Sequence, residues 1–260
     1  MLAEYQKRRL YFAVGGITVT LNFAHRGFSG QFPENTMLAF EKAVEAGADG
    51  IELDVQFSKD GELVIMHDET LNRTAGVDGF VKDYTLEQLK AMDVSGKWGD
   101  RYGSMEIPTL REYFEHFKDL PVITNIELKT GIFPYPGIEK RTLEMIQEYE
   151  LENKIIISSF NHYSCLKMKE LDEKMPCGLL EESWIVGAGK YGRKLGMDFL
   201  HPAYPMVTES YVQDAADHGL KVNTWTVNDW DSMEYFTKIG VNAIIGNFPD
   251  LAEKALNPYR

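Results

Sequence analysis

Cysteine is almost absent from this 260-residue chain, which holds only Cys165 and Cys177. So few thiols do not suggest a disulfide framework, and a reduced, cytoplasmic setting fits better than a secreted or periplasmic one. Basic residues are also scarce: 27 Lys and Arg stand against 40 Asp and Glu, a formal net charge of −13. That balance sets aside a generic nucleic-acid binder, which holds phosphates with clustered Lys and Arg. It leaves room for a small phosphorylated substrate whose charge is met locally by a metal ion. No apolar run reaches the ~20 residues of a membrane-spanning helix. There is no internal repeat and no low-complexity linker, and nothing in the sequence bears on oligomeric state.

What is present is ordinary for a soluble globular protein, with 44% apolar residues and a length suited to one α/β barrel. Short apolar runs alternate with helical patterns almost to the end, the mark of a parallel sheet with crossover helices. Eight runs read as strands: 21–25, 50–55, 122–128, 155–159, 177–180, 198–200, 220–226 and 243–246. Helical patterns follow most of them, over 36–46, 109–117, 137–150, 163–173, 210–218 and 231–239. The expected fold is α/β, a (β/α)₈ TIM barrel, forming a single domain over residues 21–260. Lys59-Asp60-Gly61 breaks the alternation with a turn signal before Leu63–Met66. So short a connection only makes an antiparallel return, hence a β-hairpin following strand 2. Residues 68–108 then form a small insertion capping the site, with one short helix near 86–92. It lies between a strand and its helix, the catalytic side of a barrel. Ahead of the barrel, Lys7, Arg8 and Arg9 precede an apolar stretch interrupted by Gly15-Gly16. This superficially resembles a signal peptide, but two strand segments around a Gly-Gly turn account for it better. Residues 1–20 are therefore expected to be an N-terminal hairpin at the bottom of the barrel.

Glu52 and Asp54 sit two apart in a strand and so share one face, as do Asn125, Glu127 and Lys129 in another. Alternating acids also occur on solvated edge strands, but the intervening Ile51, Leu53, Val55, Ile126 and Leu128 are apolar, so neither strand is solvated. Three carboxylates converging at a barrel mouth repel one another unless a cation joins them. Such oxygen ligands suit a hard divalent ion, Mg²⁺ or Ca²⁺. His25 ends the first strand, and the turn near Asp60 brings His67 level with Leu53 at the same mouth. A lone histidine is more often structural, yet two of only six end strands beside the acids. Two imidazoles can supply the general base and general acid of phosphodiester cleavage. Arg26 and Lys129 would then meet the phosphate.

The ordered set His25-Arg26-Gly27, Pro33-Glu34-Asn35-Thr36, Gly50 to Val55 and His67-Asp68 through Leu71-Arg73-Thr74 resembles the glycerophosphodiester phosphodiesterase family. Ile107-Pro108-Thr109-Leu110, Asn125 to Lys129, Ser158-Ser159-Phe160 and Trp225-Thr226-Val227-Asn228 continue the resemblance, which spans residues 21–252. It implies a barrel with a capping insertion, Glu52, Asp54 and Glu127 as metal ligands, and His25 and His67 as the catalytic pair. The expected activity is metal-dependent hydrolysis of glycerophosphodiesters to sn-glycerol 3-phosphate and an alcohol. A lysophospholipase D-like activity and a non-catalytic metal-binding barrel are the alternatives. Two departures, Gly246-Asn247 in place of the family's common Thr-Asp and a shorter stretch around Gly96–Gly99, are read as bearing on substrate preference. Glu34 and Asn35 are further substrate-binding candidates, although Asn35 before Thr36 also reads as a helix N-cap. Trp225 reads as an apolar wall for glycerol or as a core aromatic. Glu181 and His201 end strands at the pocket without a catalytic assignment.

Overall fold

The computed structural model describes residues 19–259, so the expected N-terminal hairpin lies, but for its last residues, outside the described residues. In chain order the elements are β1 (Leu21–His25), α1 (Met37–Glu45), β2 (Gly50–Phe57) and β3 (Leu63–Ile65). Three short helices follow, α2 (Asn72–Ala75), α3 (Leu86–Lys90) and α4 (Gly99–Tyr102), and then α5 (Leu110–Phe117). The alternation continues with β4 (Ile123–Leu128), α6 (Ile138–Glu148), β5 (Ile155–Ser159), α7 (His162–Leu171), β6 (Cys177–Glu181) and α8 (Ala188–Lys194). It ends with β7 (Phe199–Pro202), α9 (Glu209–Asp217), β8 (Lys221–Thr224), α10 (Trp230–Lys238), β9 (Ala243–Gly246) and α11 (Pro249–Leu256). Eight parallel strands close into a barrel through the β1–β2 and β1–β9 pairings, and β3 lies antiparallel on β2 outside the ring.

The alternation along β2 shows how the sequence builds this architecture. Ile51, Leu53 and Val55 point outward into the main core under the helices, where they are fully buried. Gly50, Glu52, Asp54 and Gln56 point inward. The barrel interior below the mouth is filled by Phe23, Ile156, Phe199, Ala243 and Ile245. Large residues there face small ones: a Cβ on Gly50 would come within 2.6 Å of the Phe23 ring, so only glycine fits.

β2 runs two residues beyond its expected end because β3 pairs with it there, Val55 to Ile65 and Phe57 to Leu63. Segment 64–107 has a small core of its own, made of Val64, Met66, Leu71, Val81, Leu89, Val94 and Ile107. Two barrel helices went unread. α8 has the sequence AGKYGRK, with no apolar period; its glycines let it lie against the Asp214 carbonyl and the Leu200 and Leu220 side chains. α11 begins at Pro249, whose missing N–H costs nothing in a first turn. Among the described residues, no helix is long and apolar enough to cross a membrane.

Candidate active site

The C-terminal ends of β1, β2 and β4 bring the acidic residues together. Register pairs Glu52 with Asn125 and Asp54 with Glu127 across β2 and β4, and His25 with Glu52 across β1 and β2. One oxygen each from Glu52, Asp54 and Glu127 lies within 4.8 Å of the others. All three side chains are buried, and Asp54 Oδ1 has no hydrogen-bond partner. Burial, and then the charges of Asp54 and Glu127, push the Glu52 carboxyl well above its ordinary range. Burial opposes ionisation of Asp54 too, but Arg26, His67, Lys129 and the Asn35 amide outweigh it and hold that carboxyl at about 2. A crowded set of hard oxygen donors with an unanswered lone pair fits a divalent cation.

Both imidazoles face this cluster. His25 Nε2 lies 4.0 Å from Glu52 Oε2, while its Nδ1 meets Asn247 Oδ1 at 2.7 Å. Burial, followed by the nearby charge of Arg26, lowers the His25 pKa to about 4. His67 follows β3, and its Nδ1 meets Asp68 Oδ1 at 2.6 Å. Each ring thus has Nδ1 engaged, one on a neutral amide and the other on a carboxylate.

Arg26 occupies a left-handed conformation, φ 55°, in the turn after β1. There its N–H donates to the Glu52 carbonyl and carboxylate, and its Nε lies 3.5 Å from Asp54 Oδ2. The next residue must be Gly27: φ is 76°, and a Cβ would lie 2.7 Å from the Ala39 backbone. Lys129 donates to Glu127 at 2.9 Å and stands 3.9 Å from Asp54 Oδ1. Burial works against its charge, but those two carboxylates raise its pKa.

A cleft of about 360 Å³, partly open to solvent, connects these groups. His25, Arg26, Glu52, His67 and Glu127 line it, together with an apolar wall of Trp225, Phe160, Leu180 and Ile245. Trp225 therefore stands on the wall, its indole N–H tied to the His201 carbonyl and its ring edge-on to Phe160 at 5.6 Å. Glu34 and Asn35 stand behind the lining residues. Glu34 takes up Arg26 and Arg73, and Asn35 donates to Asp54 Oδ2 at 2.8 Å. The α1 N-cap is Thr36, not Asn35, because the Thr36 hydroxyl accepts from the Ala39 N–H.

Gln56, beside the site, was not singled out from sequence. Gln56 lies above Asp54 on the same face, and its amide donates to the carbonyls of Met66, His67 and Asp68. The strand's period of two was the signal that could have found it. Asn247 was read as a departure touching substrate preference, yet it contacts His25, a candidate for the chemistry itself. His201 is fully buried inside the barrel, bonded to Asn223 rather than exposed in the cleft.

Fold and site together define a (β/α)₈ barrel whose catalytic mouth joins an acidic cluster, two imidazoles and two cations. The model of the glycerophosphoryl diester phosphodiesterase family matches residues 25–251. A glycerophosphodiester phosphodiesterase of Caldanaerobacter subterraneus subsp. tengcongensis is 45% identical over 89% of this chain and 95% of its own. Another from Bacillus altitudinis is 39% identical over 91% and 98%. Among solved structures, an Oleispira antarctica phosphodiesterase in complex with the product sn-glycerol-3-phosphate superposes with a TM-score of 0.83. It is 29% identical, over 90% of this chain and 96% of that one. The chain belongs to the glycerophosphoryl diester phosphodiesterase family.

Proposed function

We propose that this enzyme hydrolyses glycerophosphodiesters to sn-glycerol 3-phosphate and an alcohol, in two steps run by His25 and His67. The observation that carries this reading is the pair of Nδ1-anchored imidazoles facing a buried three-carboxylate cluster. Glu52, Asp54 and Glu127 would hold Mg²⁺ or Ca²⁺, which would supply Lewis acidity to the reacting phosphodiester. Arg26 and Lys129 complement the charge that develops on phosphorus.

Chemistry then divides between the histidines. His25, neutral against an amide oxygen, removes the proton of the glycerol 2-hydroxyl, whose oxygen attacks phosphorus. His67, its Nδ1 held by Asp68 Oδ1 at 2.6 Å, gives its proton to the departing alkoxide as the P–O bond breaks. The product of this step is a cyclic glycerol phosphate. Water opens it with the roles reversed: His67 takes the water proton and His25 protonates the leaving 2-oxygen. The Trp225–Phe160 wall packs against the glycerol carbons.

Steady-state assays with glycerophosphocholine and glycerophosphoethanolamine, in Mg²⁺, Ca²⁺ or chelator, test this reading. Turnover with metal and none in chelator is expected, and His25→Ala or His67→Ala should each lower kcat by ~10²–10⁴-fold. An aryl diester of glycerol phosphate, whose phenolate leaves unprotonated, should largely rescue the His67 variant and not the His25 variant. Near-normal turnover by both variants on glycerophosphocholine would refute the acid–base assignment.

A further inference from the structure

We propose that Arg73 is a positioning residue that holds the His67 imidazole and the Arg26 guanidinium in register from outside the cleft, a role that rests on the functional reading above. Arg73 belongs to α2 in the inserted segment and does not line the cleft. Its side chain is about half exposed, yet all three guanidinium nitrogens are engaged. Nε donates to Asp68 Oδ2 at 2.6 Å, and Nη2 donates to Asp68 Oδ1 at 3.0 Å. Nη2 also donates to Glu34 Oε1 at 2.7 Å, and Nη1 to Glu34 Oε2 at 2.9 Å. One planar fork thus grips four carboxylate oxygens along two of its edges.

Exposed ion pairs contribute only ~0–1 kcal/mol each, so stability is a poor account of so complete an arrangement. The other side of each carboxylate is more telling. Asp68 Oδ1, held by Arg73, meets His67 Nδ1 at 2.6 Å. Glu34 Oε1, held by Arg73, accepts from Arg26 Nη1 at 3.0 Å. Without the fork, each carboxylate keeps its active-site partner but loses the contact that fixes its own rotamer. The His67 side chain is 30% exposed and follows a three-residue strand, so its ring direction depends on Asp68. Arg26 Nε makes no hydrogen bond and stands 3.5 Å from Asp54 Oδ2, so the side-chain hydrogen bond of this guanidinium is the one to Glu34. A lysine cannot take over, because one ammonium is a point charge that cannot span both carboxylates. Arg73 also ties the inserted segment to the β1–α1 turn, so a half-exposed residue of the insertion governs both an acid–base group and a phosphate-binding group.

The test uses the full-length Mg²⁺-loaded protein with Arg73→Ala, Arg73→Lys and Asp68→Ala. At a pH where the His67 ring is neutral, nitrogen-15 NMR should show one tautomer, protonated at Nδ1, in the wild type. Loss of that fixed tautomer is expected in all three variants. With glycerophosphocholine, kcat should fall ~10–100-fold in both Arg73 variants, the range typical of residues that orient active groups, with melting temperature nearly unchanged. Added guanidinium ion should restore part of kcat to Arg73→Ala, where the emptied site is open to solvent, and ammonium ion should not. An unchanged His67 tautomer in Arg73→Ala, or a full-rate Arg73→Lys enzyme, overturns the proposal. If the wild type cleaves no glycerophosphodiester with either metal, the functional reading fails by itself, and the NMR signals still decide whether Arg73 holds His67.

Discussion

Asn247 places an amide oxygen directly against the His25 ring. The Asn247 N–H in turn donates to Asn228 Oδ1 at 2.8 Å, and the Ser29 hydroxyl donates to Asn247 Oδ1 at 3.2 Å, so the amide is itself held in place. An amide oxygen orients the ring without adding negative charge, in keeping with an imidazole whose pKa is lowered to about 4. Asn247→Asp would supply that charge and favour the imidazolium. A higher His25 pKa means that the base is lost at a higher pH on acidification. The acid limb of the kcat/KM profile should therefore move upward, with little change in metal affinity. An acid limb that stays put in pH–rate measurements would show that His25 is not the group titrating there. Residue identity was legible in sequence where period or motif marked it, as for Glu52, Asp54 and Glu127. The partners of each group were not, because Asn247 lies 222 residues from His25 and only barrel closure brings them together.

Elements were legible to the extent that their periodicity was strong. β5 and β9 fall on the expected residues, since each is an apolar run bounded by turns. α2 and α4, four residues each, carry no period to read, and α2 nevertheless delivers Arg73. Within the hairpin, Gln56 is the buried tie between β2 and the chain carrying His67, and Tyr135 in turn donates to its Oε1 at 2.9 Å. Gln56→Met keeps the volume but strips the donor from the carbonyls of Met66, His67 and Asp68. Each buried acceptor left unpaired costs ~1–3 kcal/mol, so melting temperature and kcat should fall together. Thr109→Ala provides the contrast. It breaks the capping box of α5, where the Thr109 hydroxyl and the Glu112 carboxylate each bond the other's backbone N–H. That loss should cost ~1 kcal/mol without touching kcat. Thermal melts and assays on the two variants decide whether Gln56 couples fold to site; a Gln56→Met enzyme with normal kcat would show that it does not.

At the scale of the whole molecule, the metal-free site works against the fold. Glu52 is pushed above its ordinary 4.5 by burial and by Asp54 and Glu127, so the native state keeps a proton that the unfolded chain releases. Where the native state binds more protons, stability falls as pH rises, and this loss runs upward from 4.5 through the native pKa. Buried histidines act in the opposite sense. Burial lowers His201 to about 3, and burial with Arg26 lowers His25 to about 4. The unfolded chain takes those protons first as pH drops below 6.5, so stability is lost on acidification. The metal-free protein should thus be most stable at mildly acid pH. A cation that binds only the native state adds ~2.7 kcal/mol at a hundred times its Kd and displaces the Glu52 proton, so its increment should grow with pH. Thermal melts from about pH 4 to about pH 8, in chelator and in Mg²⁺ or Ca²⁺, measure both trends. Glu52→Gln should melt higher than wild type in chelator at neutral pH, because it relieves the repulsion, and should gain little from either metal. A Glu52→Gln protein that keeps the full metal increment would place the ion somewhere other than among Glu52, Asp54 and Glu127.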